Sequence, residues 1–413
     1  MAETKKELIP YKWTLVGILW FAYFLNQGDR QIFNTVIPLI QKDLGLTDVA
    51  IGNVVMIFTA IYGILVPVSG FLGDFVSRKW IVISSLLVFS LGTLLTGISG
   101  GFVLLIIFRS IATGAGEAFY YPAATSLLSQ LHVNTRATAL SIHQTSLYVG
   151  IVASGAISGW IGENYGWRAA FYVFGSVGVV WAIVSMFVMR NTPMPVADTS
   201  VQKNTPKFSE VLGAILKKET FYLLSLAFAC QCFVNVGYNT WMPKYLHEDY
   251  GMSLTAAGFH SMMWHFAFAF VGVMVGGKLS DKYAEKFKSA RMYAEFLGMF
   301  LAVPFILLLG YTTNFYVCCF AMAAFGFFRG VYDSNLFAAL FDIVEPRFRA
   351  SASGIYLSFA FVMGSVAPRL LAEIKAVSSM SVAMMSLSGF FLAGSIFLLI
   401  ATLFFFRKNY YNG

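Results

Sequence analysis

Charge is scarce in this sequence. Asp, Glu, Lys and Arg make up 12% of its 413 residues, against 58% apolar and 17% aromatic. A soluble domain carries roughly a quarter charged residues, so the scarcity excludes a water-clothed globular protein and implies an integral membrane one. Cysteine is rare too. Cys230, Cys232, Cys318 and Cys319 all stand inside apolar runs, and Cys230-x-Cys232 has neither metal-ligand spacing nor a histidine nearby. They read as small core or lipid-facing residues, not as redox or metal groups. A Gly-rich nucleotide loop and an H-E-x-x-H run are missing, which argues against an enzyme. The first apolar run lacks the short hydrophobic core and small-residue cleavage site of a signal peptide.

What is present is a series of long apolar runs. They start near Trp13, Val49, Trp80, Gly101, Ala137, Gly166, Phe221, Leu254, Ala290, Asn314, Phe348 and Ser379. Each reaches about 20 residues, enough to cross roughly 30 Å of hydrocarbon as a helix. The one long polar gap, "RNTPMPVADTSVQKNTPKFSEVLGAILKKE", divides the series in two. The expected organisation is a six-helix bundle over 1–190, a cytoplasmic linker over 191–219 ending in a short amphipathic helix, and a second bundle over 220–413. With the amino terminus inside, 20 of the 28 basic residues fall on cytoplasmic segments and five outside, while Arg30, Arg109 and Arg329 lie at membrane depth. That asymmetry predicts a multi-pass protein of the inner or plasma membrane with both termini cytoplasmic. It also makes the net charge of +8 a topology signal, so no nucleic-acid partner is expected.

The halves echo each other. "GFLGDFVSRK" ends the second run and "GKLSD" the eighth, with Gly70 to Gly277 and Asp74 to Asp281 both offset by 207. "TRATALSI" and "FRASASGI" open the fifth and eleventh, with Arg136 and Arg349 offset by 213. A duplicated six-span unit is a transporter design, with its substrate site at mid-membrane between the halves; a channel would lack the duplicated motif. "GFLGDFVSRK" resembles the G-x-L-x-D-x-x-x-R-K signature of the major facilitator superfamily. Within it, "YFLNQGDRQIFNTVIPLIQKDLGL" and "GAGEAFYYPAATSLLSQL" are similar to the Spinster-like branch. The Asp-Arg pair on the first span and the Glu on the fourth also resemble the anion:cation symporters of sugar acids and organic anions. The resemblance implies an all-α membrane protein of twelve transmembrane helices in two pseudo-symmetric six-helix bundles. It also makes Gly70, Asp74, Arg78, Lys79 and Asp281 a gate latch, with Asp74 pairing to a basic residue across its loop.

A charged side chain at the bilayer centre costs about 2.5–3.5 kcal/mol even on insertion scales, so the ionisable residues at depth carry the information. Asp29 and Arg30 are adjacent and project about 100° apart. Either Arg30 meets an anionic substrate while Asp29 titrates, or the two join a structural ion-pair network locking the first span to the fourth. Glu117 lies in "GAGEAFYYP", where small residues allow close helix approach. Desolvation there favours its protonated form and a nearby Arg30 its charged form; the resemblance implies that Glu117 couples to proton movement, and Asp29, at depth near the same cations, is expected to couple with it. Arg109 is eight residues before Glu117, about 12 Å along a helix axis, so the two are not expected to pair. In the superfamily an arginine on this span precedes a glycine by four residues, whereas "RSIATG" puts Gly114 five on. On the tenth span, Arg329 and Asp333 can pair at i and i+4, or Arg329 can serve as a second anion-binding cation on the opposite wall.

His260 and His265 point about 140° apart, so only one is expected to face a cavity; His265 is counted with Arg109 and Asp333 among the candidate substrate contacts. Glu295, near the basic loop before the ninth span, reads as a snorkelling or gate carboxylate. Tyr23, Asn26, Tyr62, Tyr120, Tyr121, Gln144, Tyr238, Asn239, Trp241, Trp264, Tyr332 and Asn335 are further candidates for lining the cavity, though aromatics are also common packing and interface residues. The function expected is secondary active transport by alternating access: proton-coupled symport of an anionic organic solute such as a sugar acid, uronate or acidic saccharide. The alternative is a Spinster-like transporter of lysolipid or sphingoid lipid. No cofactor is expected beyond a coupling proton, and the partners are a small anionic substrate and the lipid bilayer around a monomer.

Overall fold

The computed structural model describes residues 11–72, 76–190 and 208–411. Twelve long helices run through it: α1 Tyr11–Leu44, α2 Asp48–Leu72, α3 Arg78–Thr96, α4 Phe102–Leu131, α5 Arg136–Tyr165, α6 Trp167–Val188, α7 Glu219–Asp249, α8 Leu254–Ala284, α9 Ala290–Tyr311, α10 Phe315–Ile343, α11 Pro346–Val377 and α12 Met380–Asn409. Their starts lie no more than two residues from those the apolar runs predict. A short helix, Phe208–Ile215, stands where the amphipathic stretch is expected before α7. Eleven of the twelve are long and apolar enough to cross a membrane on composition alone. The exception is α1, whose middle carries Asn26, Gln27, Asp29, Arg30, Gln31 and Asn34. All but Arg30 are buried, so α1 is shielded by its neighbours and keeps its polar groups off the lipid.

The helices form two six-helix groups. In the first, α1 packs along α5, α3 along α6, and α2 and α3 against α4; in the second, α8 packs along α10, α9 along α10 and α12, and α7 along α11 and α12. The groups meet where α5 crosses α8, α2 runs beside α11, and α1 touches α7. Small residues make these approaches: a Cβ at Gly155 of α5 would stand 2.5 Å from the carbonyl oxygen of Gly258 on α8.

With twelve antiparallel spans, α1 begins and α12 ends on the same side of the molecule, here the terminal face; the other side is the far face. Polar cross-links between the halves collect at the far face. Lys244 at the end of α7 reaches Gln41 of α1 at 2.5 Å and pairs with Asp48 at the start of α2. Lys375 of α11 pairs with the same Asp48 at 3.1 Å. Glu163 at the end of α5 accepts from the Leu254 backbone N–H and the Thr255 hydroxyl, both at 2.5 Å, where α8 begins.

Candidate functional site

α1 and α4 bring the first-half charges together. Arg30 Nε donates to Glu117 Oε2 at 2.5 Å. The Arg30 guanidinium lies 4.2 Å from the Tyr62 ring centroid, and its side chain stays 26% exposed while that of Glu117 is fully buried. Asp29, on the next face of α1, is buried within electrostatic reach of Glu117, Arg109 and Arg30 and beside the Thr93 hydroxyl of α3. One of its oxygens, Oδ2, has no hydrogen-bond partner among the described residues, as is true of Arg30 Nη2 and Glu117 Oε1. The small residues around Glu117 behave as expected: a Cβ at Gly116 would stand 2.6 Å from the Phe89 backbone nitrogen on α3.

Arg109 departs from expectation. Its Nη1 lies 4.0 Å from Glu117 Oε1, and its guanidinium packs on Phe58 at 4.5 Å and Phe33 at 5.2 Å. The cause is a π-helical stretch over Ile106–Thr113. Its i→i+5 bonding winds each residue through a smaller angle and a shorter rise than an α-helix does. The extra residue in "RSIATG" is thereby absorbed, and Arg109 comes back onto the face that carries Glu117.

The second half has its own cluster. Arg329 Nε is 3.2 Å from Asp333 Oδ2, the i,i+4 pair anticipated, and its Nη1 is 2.7 Å from His265 Nε2. Gln231 of α7 donates to Asp333 Oδ1 at 3.1 Å. The Asp333 side chain is 27% exposed, while His265 is fully buried between Tyr238 and Phe325. His265 therefore braces Arg329 from behind and does not line a cleft. His260, half-buried, accepts from the Trp264 indole at 3.1 Å, the bond of a packing residue. Tyr148 of α5 lies within electrostatic reach of Arg329 and Asp333 from the opposite half. Both charge-bearing helices also lose regularity just past their carboxyl group: α4 at Phe119, after Glu117, and α10 at Ser334 and Asn335, after Asp333. Interrupted helices at matching places in two repeats are what a mid-membrane binding site uses.

The polar aromatic candidates divide. Tyr121, 39% exposed, donates to Gln144 at 3.4 Å, and these two stand together on the first half. Tyr23 is buried, stacked on the His143 ring at 4.7 Å, and Tyr120 bonds the Leu19 carbonyl at 2.5 Å. Asn239, half-buried, donates to Asn235 at 3.3 Å. Asn26 is buried and takes its bond from Gln27. Trp241 is corrected to a packing residue: it is fully buried and its indole donates to the Pro368 carbonyl at 2.9 Å, near the far face. Asn335 is likewise buried, donating to the Val331 carbonyl at 3.1 Å where α10 breaks. His143, Tyr148 and Gln231 are further polar members without a sequence signal of their own; His143 sits beside Gln144, and only the helix phase separates a buried residue from its half-buried neighbour.

At the terminal face, Arg78 opens α3, and Lys79 is buried with its Nζ 5.3 Å from the Trp80 ring centroid. Gly70 falls in the last turn of α2, and Asp74 lies outside the described residues. In the second-half copy, Asp281 pairs with Arg291 at 3.1 Å across the α8–α9 connection, and Arg291 also holds Asp342 at 2.8 Å. Glu295 is neither snorkelling nor at a gate surface. It is fully buried, because α9 turns that face onto α10.

A profile of the Major Facilitator Superfamily matches residues 19–368. The probable sulfoacetate transporter SauU of Cupriavidus necator is 24% identical, over 88% of this chain and 87% of that protein. The hexuronate transporter of Bacillus subtilis is 25% identical, over 87% of each. Among solved structures, a bacterial homolog of the human lysosomal transporter Spinster, inward-facing and unoccupied, superposes with a TM-score of 0.86 at 19% identity, covering 98% of this chain and 100% of that one. The profile runs through both bundles and the fold matches along its whole length: the chain belongs to the Major Facilitator Superfamily, and it is a transporter, not an enzyme.

Proposed function

We propose that this transporter is a proton-coupled symporter of a small anionic organic solute, a sugar acid or uronate, working by alternating access. The observation that carries the reading is the Arg30–Glu117 pair, 2.5 Å apart, with the arginine side chain still 26% exposed. A solute carboxylate that reaches Arg30 competes with Glu117 for the same cation. A buried Glu117 deprived of its partner is stabilised by taking a proton, so anion and proton load together. In this reading Asp29 and Glu117 carry protons, Arg30 and Arg109 hold the anion from the first half, and Arg329 faces it from the second. The relatives named for sulfoacetate and hexuronate belong to the same solute class. The basic residues make the terminal face cytoplasmic. With the far face cross-linked, this reading has the path to the central charges open on the cytoplasmic side.

Uptake into proteoliposomes tests this. Acidic sugars are expected to accumulate only with an inwardly directed proton gradient, and neutral sugars not at all. Preferential movement of lysolipids, or accumulation of acidic sugars indifferent to the gradient, would replace the proposal with a lipid carrier or a uniporter.

The far-face cross-links act here as a latch. A charge-assisted hydrogen bond contributes about 1.5–3 kcal/mol, so Lys244→Ala should shift the access equilibrium toward an open far face by roughly tenfold or more. A single cysteine at Leu254, which is buried beneath Glu163, reports it in a background lacking the four native cysteines. Its labelling by an impermeant maleimide added to intact cells should quicken by about that factor. An unchanged rate would show that the ion pairs do not hold the face shut.

A further inference from the structure

Glu295, the sixth residue of α9, is fully buried, and neither carboxylate oxygen has a hydrogen-bond partner among the described residues. One turn further on, Gly298 lets α10 approach so closely that a Cβ there would stand 2.8 Å from the Tyr332 backbone nitrogen. The groups around the carboxyl are therefore those of α10 and its neighbours. α10 presents Asp333, Asp342 and Tyr332, and α11 presents Tyr356. Cys232 of α7 borders the two tyrosines. α12, which packs along α9, has no titratable side chain between Met380 and Phe406. The cation nearest in sequence is Arg291, one turn earlier on α9, and it is engaged by Asp342 at 2.8 Å and Asp281 at 3.1 Å.

Among the described residues nothing around this carboxyl compensates a negative charge: two other carboxylates are in reach, and the cations beyond them are engaged, Arg291 by Asp342 and Asp281, Arg329 by Asp333 and Arg349 by the Val344 and Phe341 carbonyls. Two phenols offer oxygens that a carboxylic acid can use, and the Tyr332 hydroxyl itself lacks a partner among the described residues. The pocket lies between Asp333 of the central site and the Arg291–Asp342–Asp281 latch.

We propose that Glu295 is a proton-binding site of the second half, loaded in the arrangement seen here and emptied when Arg291 leaves Asp342 and pairs with Glu295. The carboxylic O–H bond breaks, the proton passes to water at the terminal face, and the guanidinium takes over the charge. This goes beyond the symport reading and is independent of which solute is carried.

Infrared difference spectra of the purified full-length chain in detergent at neutral pH test it without any solute. The wild type should show a carboxylic-acid carbonyl band that Glu295→Gln loses. Asp342→Asn, which removes the nearer of Arg291's two partners and leaves it the exposed Asp281, should lose the same band, whereas Arg291→Gln, which removes the cation one turn away, should keep it. The last two variants retain Glu295, so they decide the matter even if Glu295→Gln folds poorly. Equal bands in wild type and a folded Glu295→Gln, or a band unchanged by Asp342→Asn, would overturn the proposal.

Discussion

Glu117→Gln is expected to abolish accumulation driven by a proton gradient while leaving solute exchange across the membrane intact. Glutamine has nearly the shape of the protonated side chain and cannot release a proton. The variant is held in the loaded form, so the anion can still bind, cross and exchange, but its movement is no longer tied to a proton. Binding should tighten, because the carboxylate that competes for Arg30 at 2.5 Å is gone. Losing a charge-assisted bond of about 1.5–3 kcal/mol from the competing side corresponds to roughly tenfold or more in solute affinity. A merely structural Glu117 behaves differently: breaking its pair with Arg30 would loosen α1 from α4 and reduce accumulation and counterflow together. Asp29 has one oxygen without a partner and the same neighbours, so Asp29→Asn should also impair accumulation. Wild-type accumulation by both variants would remove the coupling assignment.

The fold was legible because membrane helices announce themselves by length. An apolar run long enough to span hydrocarbon has few alternatives to a helix, and the repeated gate motif supplied the two-bundle plan. Arg30 with Glu117, and Arg329 with Asp333, were legible for a related reason. A membrane-depth charge needs a partner, and few partners exist in a chain with 20 acidic residues. Arg109 was misplaced because an α-helical wheel was assumed where the chain runs through a π-helical stretch. A one-residue excess over the family spacing was the available sign. Trp241, Asn335 and Glu295 were misjudged because composition gives depth but not facing. A tryptophan among polar neighbours looks the same in sequence whether its ring meets a cleft or Pro368. The inter-half ion pairs of Lys244 and Lys375 could not be foreseen. They join segments about 200 and about 330 residues apart in the chain, and nothing local marks either partner.

Arg30 supplies the second large effect, and its substitutions separate a binding role from a structural one. Lysine keeps the charge but loses the planar fork. Arg30 spends Nε on Glu117 and lays its plane over Tyr62 at 4.2 Å, so lysine would give up both the second donor edge and the ring stacking. Solute affinity should fall roughly tenfold or more, in line with about 1.5–3 kcal/mol for a hydrogen bond to a charged group. Alanine should do worse, since it leaves Glu117 buried with only Arg109 at 4.0 Å to balance it. Removing one partner of a buried pair costs about 3–5 kcal/mol whatever the pair is for, so loss of uptake in Arg30→Ala alone decides nothing. The deciding measurement is binding to folded, purified protein with two ligands, an acidic sugar and the same sugar without its carboxylate. In the wild type, deleting the carboxylate should weaken binding strongly; in Arg30→Ala the same deletion should matter far less, because the group that recognised it is gone. If the deletion costs both proteins the same free energy, Arg30 does not touch the solute, and its pairing with Glu117 serves to lock α1 to α4.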